Sequence, residues 1–250
     1  MDFTLSEYGR LLRFLLDTRD VYTVAGYLES RPRAGFVILR HDVDRSPMNA
    51  LKMAELESEV GVRSTYYFRY PGTFKPRIIR RIWELGHEVG YHYETLSKTG
   101  GDYERAIAMF EHELGEFRKI VDVKTVCMHG SPLSKFDNRA LWERYDFRDY
   151  GLVGEAYLSI DDPEMYYVTD TGRNWENRNN VRDRSNWRSL GARIRSTGEL
   201  IEVLRDVDPQ KLYMTVHPER WGYGMVNWGV AYLRDALFNL GKRVVRLYGR

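Results

Sequence analysis

Arg40, His41, Asp42 and Asp44 place four ionisable side chains within five consecutive positions. They follow Phe36-Val37-Ile38-Leu39, an apolar run preceded by Gly35 that reads as a buried strand. Charges at the end of such a strand are costly unless a metal ion, a substrate or a tight ion-pair network compensates them. Asp42 and Asp44 flank one residue, so in an extended segment they share a face. One carboxylate of such a pair can bind a divalent ion while the other acts as a base. An ion held by His and Asp polarises a carbonyl and lowers the pKa of bound water, which is hydrolytic chemistry. The bland alternative is an ion pair of these aspartates with Arg40 or Arg69.

Other apolar runs end in similar chemistry. Those over 64–68, 88–91, 124–128, 165–169 and 212–216 lead into Arg69, His92, His129, Asp170 and His217-Pro218-Glu219-Arg220-Trp221. Segments with helical spacing lie between them: 47–60, opened by Ser46-Pro47, then 76–85, 102–120 and 196–205. Alternating strands and helices imply a largely parallel sheet whose carboxyl ends point one way. Distant segments then deliver Asp42, Asp44, His92, His129 and His217 to one mouth, as in a (β/α) barrel. Arg69, Asp170, Trp175, Arg220 and Trp221 are the candidates for contact with a small-molecule or oligosaccharide substrate. His87 is assigned to the glycine-rich turn, His112 to a solvated helix face and Cys127 to the core as an inert thiol.

The elements around this mouth are legible with varying clarity. The capping box Thr4-Leu5-Ser6-Glu7 opens a first helix, and 21–30 reads as a short second one. Residues 1–35 are thus expected as an N-terminal helical extension to a core over about 36–248, within one domain spanning 1–250. Residues 138–144 read as a short helix, 152–153 and 156–160 as extended chain. The polar stretch 171–195 is long for a loop, as functional lids are. A terminal helix over 226–240 and an apolar strand or extension over 244–248 complete the expectation.

The 250 residues, 43% hydrophobic, suffice for one sizeable core. A net charge of +2 gives no case for a nucleic-acid partner. The single cysteine rules out an intrachain disulfide. No apolar run approaches the roughly 20 residues of a membrane span, and the first residues lack the basic region and cleavage site of a signal peptide. The expected setting is cytoplasmic.

His41-Asp42-Val43-Asp44 resembles the paired-aspartate first motif of the polysaccharide deacetylase superfamily, the NodB-homology enzymes akin to carbohydrate esterase family 4. Gly86-His87-Glu88-Val89-Gly90-Tyr91-His92 resembles its second motif. Met128 to Pro132 sits where the third would be, Asp170 to Trp175 resembles the fourth and Val216-His217 the fifth. The resemblance runs in order over about 36–220. It implies a distorted (β/α)7 barrel and metal-dependent removal of an N- or O-acetyl group from a sugar or polysaccharide precursor. Carried over, Asp42 is the base, Asp44 and His92 are ligands of a divalent ion, Zn²⁺ first among them, and His217 is the acid. The chain departs from the pattern at Leu96, where the second motif has another metal-binding histidine, and shows no clear third-motif arginine. His129 is the candidate third ligand and Glu94 the second choice. The other readings are a metal-independent amidohydrolase acting on a C–N bond and a non-catalytic carbohydrate-binding relative.

Overall fold

A computed structural model of the chain describes residues 1–131, 134–175, 186–191, 193–225, 227–230 and 232–233. Helix α1 (Leu5–Thr18) starts where Thr4 Oγ1 accepts the Glu7 amide. Tyr8, Leu11, Leu12 and Leu15 recur at helical spacing and form its buried face. The single helix expected over 21–30 is split into β1 (Asp20–Tyr22) and α2 (Val24–Ser30). Thr23 Oγ1 caps the Gly26 amide and so starts α2, while Asp20–Tyr22 pair with Phe36–Ile38 of β2 (Phe36–Val43). The N-terminal segment therefore contributes a strand and does not lie wholly outside the sheet.

After β2 come α3 (Pro47–Glu59), β3 (Thr65–Phe68), α4 (Pro76–Glu84), β4 (Glu88–Tyr93), α5 (Thr95–Lys98), α6 (Tyr103–Arg118), β5 (Thr125–Met128), β6 (Gly154–Glu155), β7 (Tyr166–Thr169), α7 (Thr197–Val207) and β8 (Lys211–Val216). Short 3-10 turns occur at Asn138–Glu143, Phe147–Tyr150 and Pro218–Arg220. The extended run expected over 156–160 ends at β6 instead. Glu155 turns its carboxylate onto the amides of Tyr157 and Leu158 and so starts a turn. The terminal helix is helical where described, at 227–230 and 232–233. Its remainder, the 244–248 run and residues 176–185 and 192 of the long polar stretch lie outside the described residues.

Every strand pair is parallel, in the order β6-β5-β4-β3-β2-β8-β7, with β1 beside the first half of β2 and β3 beside its second half. The expected distorted (β/α)7 barrel is thus a curled half-barrel of seven parallel strands, with β1 as an added strand at its foot. The sheet curls strongly. Arg40 of β2 brings Nη1 to 3.0 Å from Cys127 Sγ on β5, three strands along, a separation of about 14 Å in a flat sheet. The two edge strands are bridged by side chains. The Trp187 ring lies between Tyr157, Tyr167 and Tyr213, at centroid distances of 6.0, 5.3 and 4.8 Å.

Alternation along β2 positions the chemistry. Val37 and Leu39 face outward and pack with α1 and α7. His41 does the same: its Nε2 lies 2.7 Å from Glu57 Oε1, and Glu57 Oε2 accepts Ser64 Oγ at 2.6 Å and Tyr66 OH at 2.8 Å. Of the first motif, His41 thus holds α3 to the sheet, while Arg40 and Asp42 turn inward. His87 is structural too, its Nε2 lying 3.0 Å from Ala54 O. On β4 the inward positions are Gly90 and His92. A Cβ at position 90 would lie 2.6 Å from Thr125 O and closer still to the Tyr67 ring, so that motif glycine is what lets Tyr67 cross beneath His92.

Candidate metal and acid–base site

The carboxyl ends of β2, β4, β5, β7 and β8 bring Asp42, Asp44, His92, His129, Asp170 and His217 into one mouth. His92 Nδ1 donates to Cys127 O at 3.0 Å. His129 Nδ1 lies 2.9 Å from Glu94 Oε2 and 3.0 Å from Ser131 Oγ. Both rings therefore carry their proton on Nδ1 and turn an Nε2 lone pair toward Asp44 Oδ1, at 3.5 Å from His92 and 3.6 Å from His129. Asp44 Oδ1 is buried and makes no hydrogen bond among the described residues. Ligand atoms on a tetrahedral ion with bonds of about 2.0–2.1 Å are separated by about 3.3–3.4 Å, close to both of these distances. The donor types suit a divalent ion, but the two Nε2 atoms stand more than 4.8 Å apart, farther than the roughly 4.2 Å that one such ion spans, so His92 and His129 would close around it on binding. The His92 pKa is raised by the neighbouring carboxylates. Burial disfavours its charged form, but Asp42 and Asp44 more than offset that. Burial acts to raise Asp44 as well, yet His129, His92 and His217 hold it well below the usual carboxylate range.

Glu94 is placed behind this set. Its carboxylate accepts Arg69 Nη2 at 2.9 Å on each oxygen while facing His129. Burial raises the Glu94 carboxyl and His129 and Arg69 lower it, to about 2. A carboxylate on the far nitrogen of an imidazole orients a metal-binding histidine. Arg69, a candidate for substrate contact, thus spends its guanidinium on Glu94, with Nη1 also 3.4 Å from Asp44 O.

Among the described residues, one group of His, Cys, Asp and Glu brings its ligand atoms within 4.8 Å of one another: Asp42, His92 and Cys127. The Asp44, His92 and His129 set is more open. Arg40 Nη1 already donates to Cys127 Sγ, and Arg40 Nη2 to Asp42 Oδ2 at 3.3 Å. An ion on the tighter group would sit against a guanidinium, which favours the Asp44 set electrostatically. Arg40 is fully buried and also binds Thr215 Oγ1 at 2.9 Å, Tyr213 OH at 3.2 Å and Tyr157 OH. It thereby braces Asp42. Its spacing two residues before Asp42 on one strand was the available signal. Among the described residues, Asp42 Oδ1 is buried without a hydrogen bond.

Across the mouth, His217 Nδ1 donates to Asp170 Oδ1 at 2.6 Å. Asp170 Oδ1 also takes Arg220 Nη1 at 2.9 Å, and Oδ2 takes His217 N at 3.0 Å and Trp221 Nε1 at 2.9 Å. Burial and Arg220 act to lower His217, but Asp170 outweighs them and its pKa is raised, which keeps an imidazolium available as an acid. Asp170 and Arg220 thus serve His217. Trp175 and Trp221 are buried, 2% and 0% exposed, and lie in the packing behind the mouth. Glu219, not singled out by the sequence, is buried at the same mouth with Oε1 3.4 Å from Arg45 Nη2. Burial and then the Asp44 charge raise its carboxyl.

No family model and no curated protein matches the chain. Solved structures do. The chain is similar to CE4 structures. One is the CE4 domain of a multidomain xylanase from the hindgut metagenome of Trinervitermes trinervoides, at 14% identity and TM-score 0.42 over 83% of each chain. A CE4 family pseudoenzyme from Bacillus anthracis aligns at 14% identity and TM-score 0.43, over 84% of this chain and 63% of that one. A family 4 carbohydrate esterase from Bacillus anthracis aligns at 14% and 0.40, over 82% and 76%. Likeness at this level leaves the chemistry to the chain's own residues.

Proposed function

We propose that the chain is a metal-dependent hydrolase that removes an acetyl group from a sugar or polysaccharide precursor. The observation that carries this reading is the convergence of two imidazole lone pairs, each fixed by an acceptor on the opposite ring nitrogen, upon the buried Asp44 oxygen. Asp44, His92 and His129 would hold the ion, with Zn²⁺ the first choice for such donors. When bound, it supplies polarisation of the acyl carbonyl and a lowered pKa for the attacking water.

The chain's own groups do the rest. Asp42, braced by Arg40, takes the proton of the attacking water. His217, held by Asp170, gives a proton to the departing sugar oxygen or nitrogen. Acetate and the free hydroxyl or amine are the products. The motif resemblance supports an acetylated sugar as substrate. No helix among the described residues is long and apolar enough to cross a membrane.

Elemental analysis of the purified protein is the first test. About one divalent ion per chain, lost in Asp44→Ala and in His129→Ala, is the expected result. Mass analysis of acetylated sugars incubated with the protein should show loss of an acetyl group, and Asp42→Asn should abolish it while the ion stays bound. A wild-type protein that takes up no divalent ion after reconstitution would sink this reading.

A further inference from the structure

The segment before α1 is tied to the loop that carries His217. Leu5 N donates to Gly222 O at 3.0 Å and Gly222 N to Phe3 O at 2.9 Å, a short parallel bridge. Asp2 anchors its other side. Asp2 O accepts Trp228 Nε1 at 2.7 Å and Asp2 Oδ2 accepts Thr197 N at 2.9 Å. Phe3 has φ of 55°, the left-handed region that non-glycine residues adopt only when their surroundings impose it. That turn lays the Phe3 ring on Trp221, at 5.0 Å between centroids, and on Trp175, at 6.2 Å. Tyr8 of α1 meets Trp221 from another side at 5.1 Å. Gly222 allows the approach, because a Cβ there would lie 2.6 Å from the Trp228 side chain.

Trp221 is the link to the chemistry. Its indole N–H is committed to Asp170 Oδ2, and Asp170 Oδ1 holds His217 Nδ1. We propose that residues 2–4 position the acid of the site: Phe3 fixes Trp221, the Trp221 N–H fixes Asp170, and Asp170 aims His217. Phe3 touches no reacting group, so it is a positioning residue. The kinetic consequence rests on the hydrolase reading, whereas the packing relay does not.

A general acid matters most when the leaving group is poor, so the informative quantity is a ratio. It is kcat/KM on an acetylated sugar divided by kcat/KM on an aryl acetate, whose phenolate departs without help. In Phe3→Ala this ratio should fall about tenfold, and Phe3→Leu should restore most of it. Trp221→Phe keeps a ring in the packing but removes the N–H, and should lower the ratio at least as far. A second readout needs no turnover. Exchange of the Trp221 indole proton, followed by NMR against the β2 amides that report global opening, should quicken about tenfold or more in Phe3→Ala.

Loss of thermal stability in Phe3→Ala with an unchanged ratio and unchanged relative exchange overturns the proposal. So does a parental ratio in Trp221→Phe, which also serves if Phe3→Ala does not fold. Should the parent protein hydrolyse neither substrate, the functional reading fails by itself and the exchange experiment still decides the relay.

Discussion

In His92 and His129 the partner of one ring nitrogen decides what the other nitrogen faces. Cys127 O and Glu94 each take the Nδ1 proton, and that leaves each Nε2 facing Asp44, where the proposed ion would bind. Glu94 does not need to be a ligand to matter. Glu94→Gln should weaken divalent-ion affinity by about 10–100-fold, as loss of such an outer partner does. Competition with a chelator of known affinity measures this directly, and parental affinity would show that Glu94 orients nothing. Asp42→Asn tests the adjacent role. It should retain the ion and lower kcat by about two to four orders of magnitude, the range of a general base.

Helix α3 is pinned to the sheet by a buried polar cluster rather than by apolar contact alone. Tyr8, His41, Ser64 and Tyr66 all converge on Glu57. Burial works to raise the Glu57 carboxyl, but His41, His87 and Ser64 bring it down to about 2 from 4.5. A depressed carboxyl stabilises the fold when ionised. Its contribution is complete above pH 4.5 and is lost as pH falls toward about 2. Glu57→Gln should destabilise the protein by about 3 kcal/mol at neutral pH, because it disrupts a buried acceptor on which Tyr8, His41, Ser64 and Tyr66 converge. The variant should also lose less stability than the parent between those pH values. Thermal unfolding as a function of pH reads both effects, and equal acid sensitivity in the two proteins would contradict the assignment.

At the scale of the molecule, no backbone hydrogen bond among the described residues joins β6 to β7 across the seam between them. Trp187, Tyr157, Tyr167 and Tyr213 span that seam, and the buried Arg40 guanidinium packs over Tyr157 at 4.2 Å and Tyr213 at 5.2 Å. The brace for Asp42 is therefore part of the closure. Trp187→Ala should cost about 2–3 kcal/mol, somewhat less than a fully buried tryptophan. It should also reduce activity through Arg40 while leaving the bound ion in place. Chemical denaturation together with elemental analysis checks both halves. Loss of the ion in this variant would mean that the seam supports the ligands and not the base.

The strand ends and the parallel alternation were legible in the sequence. An apolar run followed abruptly by Asp42 or His217 is a local signal, and alternating elements leave a parallel sheet few other topologies. The N-terminal strand was not legible, since Asp20–Tyr22 is too short to show a period and becomes a strand only by pairing with β2. The same limit applies to the site. Composition and spacing determined that two aspartates, several histidines and Asp170 would meet at one mouth. Which nitrogen of His92 and of His129 faces Asp44, that Arg40 braces Asp42, and that Arg69 and Trp221 contact Glu94 and Asp170 were decided only by the tertiary structure. Those roles depend on contacts such as Arg69 to Glu94 and Trp221 to Asp170, 25 and 51 residues apart in the chain. Partners that far apart are set by which strands lie side by side, β3 with β4 and β7 with β8, which no local pattern encodes.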